Sequence, residues 1–241
     1  VSAYLLNLSS DLERELAAKM CKAISIIQLK LEGSLIKRHP EYGLEDRLLL
    51  ERIDFENGEV DIRGKKYKLS DTNFPTVDTK APYKLSPEEE ELMHTLKLSF
   101  MHSKLLRKHV QFLYSHGAMY RSINNNLLYH GCIPMDEEGN FACMTTSDGS
   151  FCGKELMDYL NTKIHDAFFL DIRDDREKKQ DAVDLMWYLW CGPNSPLFGK
   201  DKITTFEHLF LKDNKELCVE IYNPYYKFSA EEPYADKILK E

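Results

Sequence analysis

No stretch of these 241 residues stays apolar long enough to cross a bilayer. The longest candidate, Ala23 to Leu31, is interrupted by Ser25, Gln28 and Lys30, whereas a spanning helix needs roughly 20 apolar residues. A signal-peptide pattern is missing too, as are internal repeats and low-complexity blocks. The six cysteines, Cys21, Cys132, Cys143, Cys152, Cys191 and Cys218, include no Cys-x-x-Cys pair. That removes the zinc-finger and thioredoxin signatures and leaves a reducing cytoplasm as the simplest compartment. Basic residues never mass. The net charge is −8, and the basic clusters are as short as Lys37-Arg38 and Lys65-Lys66, so neither a nucleic-acid nor a membrane partner is expected. Net charge does not describe a single cleft, however, and a few local cations can still hold a phosphate.

What is present suits a folded chain. Hydrophobic residues make up 43%, close to globular usage, and the length suffices for one large or two small domains with real cores. Val1 stands where an initiator Met would, and a helical pattern runs up to Lys240-Glu241. A piece of a longer polypeptide is therefore expected.

Ser10-Asp-Leu-Glu13 reads as a capping box. Leu12, Leu16, Met20, Ala23, Ile27, Leu31 and Leu35 then recur at helical spacing, which predicts a long core helix to about Lys37, ended by Pro40. A short helix around Leu44 to Arg52 follows, then a β-hairpin from Val60 to Leu69 turning at Gly64. Pro75, Pro82 and Pro87 mark Asp71 to Pro87 as an extended loop. Ser86-Pro87-Glu88-Glu89 opens a second long helix, with Ser as N-cap, Pro at the first position and acids on the positive end of the dipole. It reaches Gly117, a C-cap. His94, His102 and His109 on that helix lie too far apart to share one ion and read as surface or boundary residues. Further helices are predicted from Gly153 to about Leu170, from Arg176 to Trp190, after the Thr204-Thr205 cap, and from Ala230 onward.

Two segments carry candidate chemistry. In Met119 to Pro134, apolar residues flank an Asn124-Asn125-Asn126 turn and the second run stops at His130-Gly131. A histidine at the lip of a strand aims its imidazole into a cleft, and the glycine after it permits close approach. His130 is thus the candidate metal ligand, against the common alternative of a satisfied surface histidine. The second segment, Asp184 to Lys200, holds both tryptophans and then Gly192, Pro193, Pro196 and Gly199, a rigid aromatic-walled loop ending in a cation. Trp187 and Trp190 stand three apart and can share a helical face, or form a buried pair stapling the loop. Asn194, Ser195 and Lys200 offer an amide, a hydroxyl and an ammonium to a phosphorylated ligand.

With these residues in view the chain resembles the class 3 fructose-1,6-bisphosphatases, a bacterial group on the calcineurin-like metallophosphoesterase fold. The stretches that carry the resemblance are Ile27-Gln-Leu-Lys-Leu-Glu-Gly33, Asp71-Thr-Asn-Phe-Pro-Thr76, Asn126-Leu-Leu-Tyr-His-Gly-Cys-Ile-Pro134, Met186-Trp-Tyr-Leu-Trp-Cys-Gly-Pro-Asn-Ser-Pro-Leu-Phe-Gly-Lys200 and Asn223-Pro-Tyr-Tyr226. It implies hydrolysis of fructose 1,6-bisphosphate to fructose 6-phosphate, a gluconeogenic step, with manganese in a two-metal centre whose bound hydroxide attacks phosphorus in line. Of the fold's metal motifs, the strand-end His-Gly alone has a counterpart, at His130-Gly131. No Gly-Asn-His, Gly-Asp-x-x-Asp-Arg-Gly or Gly-His occurs. The resemblance therefore implies a partial chain, nearly inactive alone, with most ligands outside it.

The expected architecture is α+β or α/β mixed, a partial metallophosphoesterase sandwich with a mixed sheet layered by helices. Residues 1–37 would be a core helix, 38–118 a helical and hairpin insertion, and 119–241 the second part of the catalytic domain. Lys200 with Asn194 is the expected phosphate contact, with Arg38, Arg47 and Arg121 as alternatives. The expected ligand is a sugar bisphosphate, with homo-oligomerisation through exposed apolar surface also expected. A phosphoprotein phosphatase on the same fold, or a non-catalytic helical module, would share many of these features.

Overall fold

The computed structural model describes residues 11–240, so the capping box at Ser10 lies outside the described residues. The chain packs as two units. One holds residues up to Lys97 together with Thr205–Cys218; the other holds Leu98–Thr204 and the residues from Val219 onward. This is a division by packing, independent of the sequence boundaries at 37 and 118.

The first unit is organised by α1, Asp11–Arg38, with Asp11 and Glu13 in its first turn and Lys37 and Arg38 in its last, matching the helix dipole at both ends. Its buried face differs from the predicted stripe. Ile27 and Leu35 are buried as expected, but Leu16, Met20 and Leu31 are exposed, and the core side is Ile26, Ile27, Lys30, Gly33 and Ile36. The reason lies in what packs there. The Tyr83 ring occupies the space a Cβ on Gly33 would need, 2.1 Å from its nearest carbon. The Lys30 ammonium, with no exposed side-chain surface, donates to the Thr76 carbonyl at 2.5 Å and to Glu89 Oε2 at 2.7 Å.

The short helix expected after Pro40 is instead a series of 3₁₀ turns, Pro40–Tyr42, Glu45–Arg47 and Leu50–Arg52. Strands β1 (Ile53–Asp54), β2 (Glu59–Ile62) and β3 (Lys65–Lys68) then form an antiparallel sheet in that order. The predicted hairpin is β2–β3. Arg63 and Gly64 both take positive φ, 54° and 79°, in a two-residue turn that suits the strand twist. After the extended loop comes α2, Pro87–His102. Its opening is a reciprocal capping box: Glu89 N–H donates to Ser86 Oγ at 3.2 Å and Ser86 N–H to Glu89 Oε2 at 2.8 Å. Phe206 and Phe210, from the returning segment Thr205–Cys218, complete this core beside Phe74.

The predicted single helix to Gly117 is broken. At Ser103 the hydroxyl accepts from Leu106 N–H and starts a new helix, α3, Lys104–His116. In the second unit β4 (Tyr120–Ile123) and β5 (Asn126–Tyr129) make a four-pair antiparallel hairpin, from Tyr120↔Tyr129 to Ile123↔Asn126. Asn124 and Asn125, both at positive φ, close its turn. Among the described residues this hairpin pairs with no other strand, and β6 (Cys143–Thr146) with β7 (Gly149–Cys152) makes a second isolated hairpin. The expected mixed sheet is thus replaced by small antiparallel sheets, an α+β arrangement.

Helices α4 (Gly153–Phe169) and α5 (Arg176–Cys191) pack on each other, with Leu156, Leu160, Ala182, Leu185 and Leu189 between them and their surroundings. The chain ends with α6 (Thr205–Phe210), a 3₁₀ turn Lys215–Cys218, α7 (Tyr225–Phe228) and α8 (Glu232–Lys240). No described helix is long and apolar enough to cross a membrane.

Candidate functional site

Three segments of the second unit converge: the end of β5, the loop after α5, and the Asn223 turn before α7. Gly131 takes a positive φ of 26°, and a Cβ there would lie 2.3 Å from the Pro196 carbonyl oxygen. Cys132 N–H donates to that same oxygen at 2.9 Å. The backbone after His130 is therefore seated directly on the post-α5 loop, which is why glycine follows the histidine. His130 itself sits just beyond β5 and is exposed. Gly131→Ala should cost about 1–3 kcal/mol through the collision with backbone that cannot retreat; denaturant unfolding of the complete protein measures it.

The loop is held from within. Ser195, fully buried, donates from its hydroxyl to Leu189 O at 2.6 Å and accepts from the N–H groups of Leu197 and Phe198. It thus closes the C-terminal end of α5 and is unavailable to a ligand. Tyr188, whose ring fills the space beside Gly192, accepts from Asn194 N–H through its hydroxyl, and burial pushes that hydroxyl up to about 12. The Asn194 side-chain amide donates to the Cys143 carbonyl at 2.9 Å. Trp187 is half-buried, with its indole N–H enclosed and unpartnered among the described residues. Trp190 is 73% exposed. The two do not form one buried aromatic wall.

Lys200 is also engaged. Its ammonium donates to Glu220 Oε2 at 2.9 Å and lies 5.4 Å from the Tyr222 ring centre. The hydrogen bond to Glu220 and that carboxylate's charge raise the Lys200 pKa. Burial alone would raise Glu220, but hydrogen bonds from Lys200 and from Thr204 N–H and Oγ outweigh it and hold the carboxyl below its ordinary range. The alternatives fare similarly. Arg47 makes a two-pronged pair with Glu207 at 2.6 and 3.1 Å, Arg121 donates to His116 O, and Arg38 to Ser34 O.

Sequence reasoning gave no role to Asn223, whose side-chain oxygen accepts from the Met135 and Tyr225 N–H groups at 3.0 Å each. Nor did it see the 2.6 Å hydrogen bond between the Tyr129 and Tyr225 hydroxyls. Burial raises the Tyr129 pKa, and the bond to Tyr225 adds to this. The only visible signal was Asn-Pro-Tyr-Tyr itself, whose Asn-Pro start is turn-forming. An apolar cavity of about 450 Å³ lies on the Tyr120, Ser122, Leu127 and Tyr129 face of the hairpin. Its described lining holds a single cation, Lys154, which pairs with Asp158, so it does not suit a bisphosphate.

A family model described as Firmicute fructose-1,6-bisphosphatase matches residues 6–241. The chain belongs to this family. Relatives named fructose-1,6-bisphosphatase class 3 include one from Clostridium tetani (strain Massachusetts / E88), 48% identical over 95% of this chain and 34% of the relative. Another, from Alkaliphilus metalliredigens (strain QYMF), is 49% identical over 100% of this chain and 37% of the relative. The chain thus spans about a third of the length of the curated relatives it matches. No solved structure matches it.

Taken alone, the described residues compose no metal centre. Among them, no three His, Cys, Asp or Glu side chains come together as a metal site. One imidazole does not hold a divalent ion at useful affinity.

Proposed function

We propose that the complete protein hydrolyses fructose 1,6-bisphosphate to fructose 6-phosphate and phosphate, a gluconeogenic phosphomonoester hydrolysis carried out in the cytoplasm. The observation that carries this reading is near-half identity, along almost the whole chain, to relatives bearing that enzyme's name. This chain would supply part of a calcineurin-like sandwich. His130 would be its one contribution to a manganese site, the remaining ligands coming from other residues of the complete protein.

The exposure of His130 at a strand end supports that assignment, as does a backbone anchored at Gly131 and Cys132, because a ligand must be accessible yet held. Lys200 and Asn194 would act differently from the phosphate contacts expected of them. Their polar atoms are engaged by Glu220 and the Cys143 carbonyl, so they brace the loop.

The test is turnover by the complete protein with manganese supplied. Fructose 1,6-bisphosphate should release phosphate at least about 100-fold faster, per kcat/KM, than a phosphoserine peptide, a difference of about 2.7 kcal/mol in transition-state binding. Equal rates would overturn the sugar-bisphosphate assignment.

A further inference from the structure

Cys143 and Cys152 stand directly opposite each other in the β6–β7 ladder and are joined as a disulfide, nine positions apart in sequence. Closing so short a loop removes less chain entropy than a long one would, and its effect falls on two strands registered over four pairs. The bond therefore acts locally, holding the Cys143↔Cys152 end of the ladder. Cys143 is exposed and Cys152 half-buried, so a small reagent can reach the first sulfur. In a reducing compartment of the kind proposed above, cross-links of this sort are transient or sensing rather than structural.

The hairpin is also wired to the candidate site. The Cys143 carbonyl accepts from the Asn194 amide. Two residues on, the Pro196 carbonyl receives Cys132 N–H and abuts Gly131, next to His130. Both contacts lie within one short loop, between residues 194 and 196.

We propose that Cys143 and Cys152 form a reversible thiol–disulfide pair, oxidised by a low-molecular-weight disulfide, whose state sets the order of loop 192–200 behind His130. In the oxidising direction the Cys143 thiolate attacks the small disulfide, forming a mixed disulfide and expelling one thiolate. The Cys152 thiolate then attacks the Cys143 sulfur and expels the second. Two electrons pass to the reagent, and the protons lost by the two cysteines end on the two small thiols. Reduction frees β6 from β7 at the Cys143 end and so loosens the carbonyl that Asn194 grips.

The proposal goes beyond the phosphatase reading, and its test does not depend on catalysis. The complete protein is equilibrated in glutathione and glutathione disulfide mixtures spanning fully reduced to fully oxidised, then quenched by alkylation and analysed by peptide mass spectrometry. Along that series, alkylation of Cys143 and Cys152 should fall together, from nearly complete to nearly none. Amide exchange is then compared at the two end states. The N–H groups of Cys132, Leu197, Phe198 and Gly199 should exchange at least about tenfold faster when the pair is reduced, while those of Leu156 and Leu160 in α4 stay unchanged. Cys143→Ser should exchange like the reduced protein in both buffers. The wild-type comparison decides the matter even if that variant folds poorly. A pair locked in one state across all mixtures, or loop exchange equal within about a factor of two in both states, overturns the proposal.

Discussion

Lys30→Met should lower the unfolding free energy of the complete protein by about 3–5 kcal/mol, the range for removing one partner of a buried ion pair. The Lys30 side chain has no exposed surface and that of Glu89 only 9%. The loss strands a carboxylate in the core while also releasing the Thr76 carbonyl. Most of the cost is the uncompensated charge, since Met restores nearly all the apolar volume. Adding Glu89→Gln should recover at least half, because a neutral amide still accepts from Ser86 N–H. Urea unfolding of the two single variants and the double variant checks this. Full additivity of the single effects would show that the two groups do not act as a pair.

Glu89 also makes that stability pH-dependent. Burial favours its neutral form, but hydrogen bonds from Lys30, Thr76 and Ser86 outweigh this and keep it below its usual value near 4.5. A depressed carboxyl binds fewer protons folded than unfolded. Its contribution is complete above about 4.5 and disappears as pH falls through the lower folded value. Glu89→Gln should therefore flatten the acid limb of the stability curve while leaving its neutral region lowered.

His130→Ala is expected to separate function from folding. The ring is exposed, so stability should change by no more than about 0.5 kcal/mol. Turnover on fructose 1,6-bisphosphate should fall at least about 100-fold, the upper end of what disturbing a ligand's supporting partners costs. Bound manganese, measured by elemental analysis after gel filtration, should fall in parallel. Wild-type turnover and metal content in a normally folded variant would remove His130 from the site.

Much of the secondary structure was legible because local signals decide it. Ser86-Pro87 opens α2, Asn124-Asn125 turns the β4–β5 hairpin, and Arg63-Gly64 turns β2–β3, each by backbone chemistry confined to a few residues. The break at Ser103 was missed although its signal is local too, a serine whose hydroxyl caps Leu106, because helical spacing continues on both sides. The buried face of α1 was not legible. It is selected by Tyr83 and Glu89, some fifty residues away, and its centre is a lysine that no hydrophobic pattern would place inside.

The site divides the same way. The lip position of His130 followed from an apolar run ending in His-Gly. The engagement of Lys200 and Asn194 did not follow, since Glu220 and the Cys143 carbonyl are brought to them by the fold. Side-chain type suggested phosphate contacts, whereas the structure shows long-range hydrogen bonds from both side chains to protein groups.

The seat of Gly131 on the Pro196 carbonyl bears on protein engineering. Gly131 and the Cys132 N–H meet the Pro196 carbonyl backbone to backbone, with no Cβ at Gly131 to give way. A chimera with a crossover anywhere from 135 to 190 would join halves from different parents at this point. Recombination libraries should therefore transplant the Gly131 and Pro196 segments from a single parent.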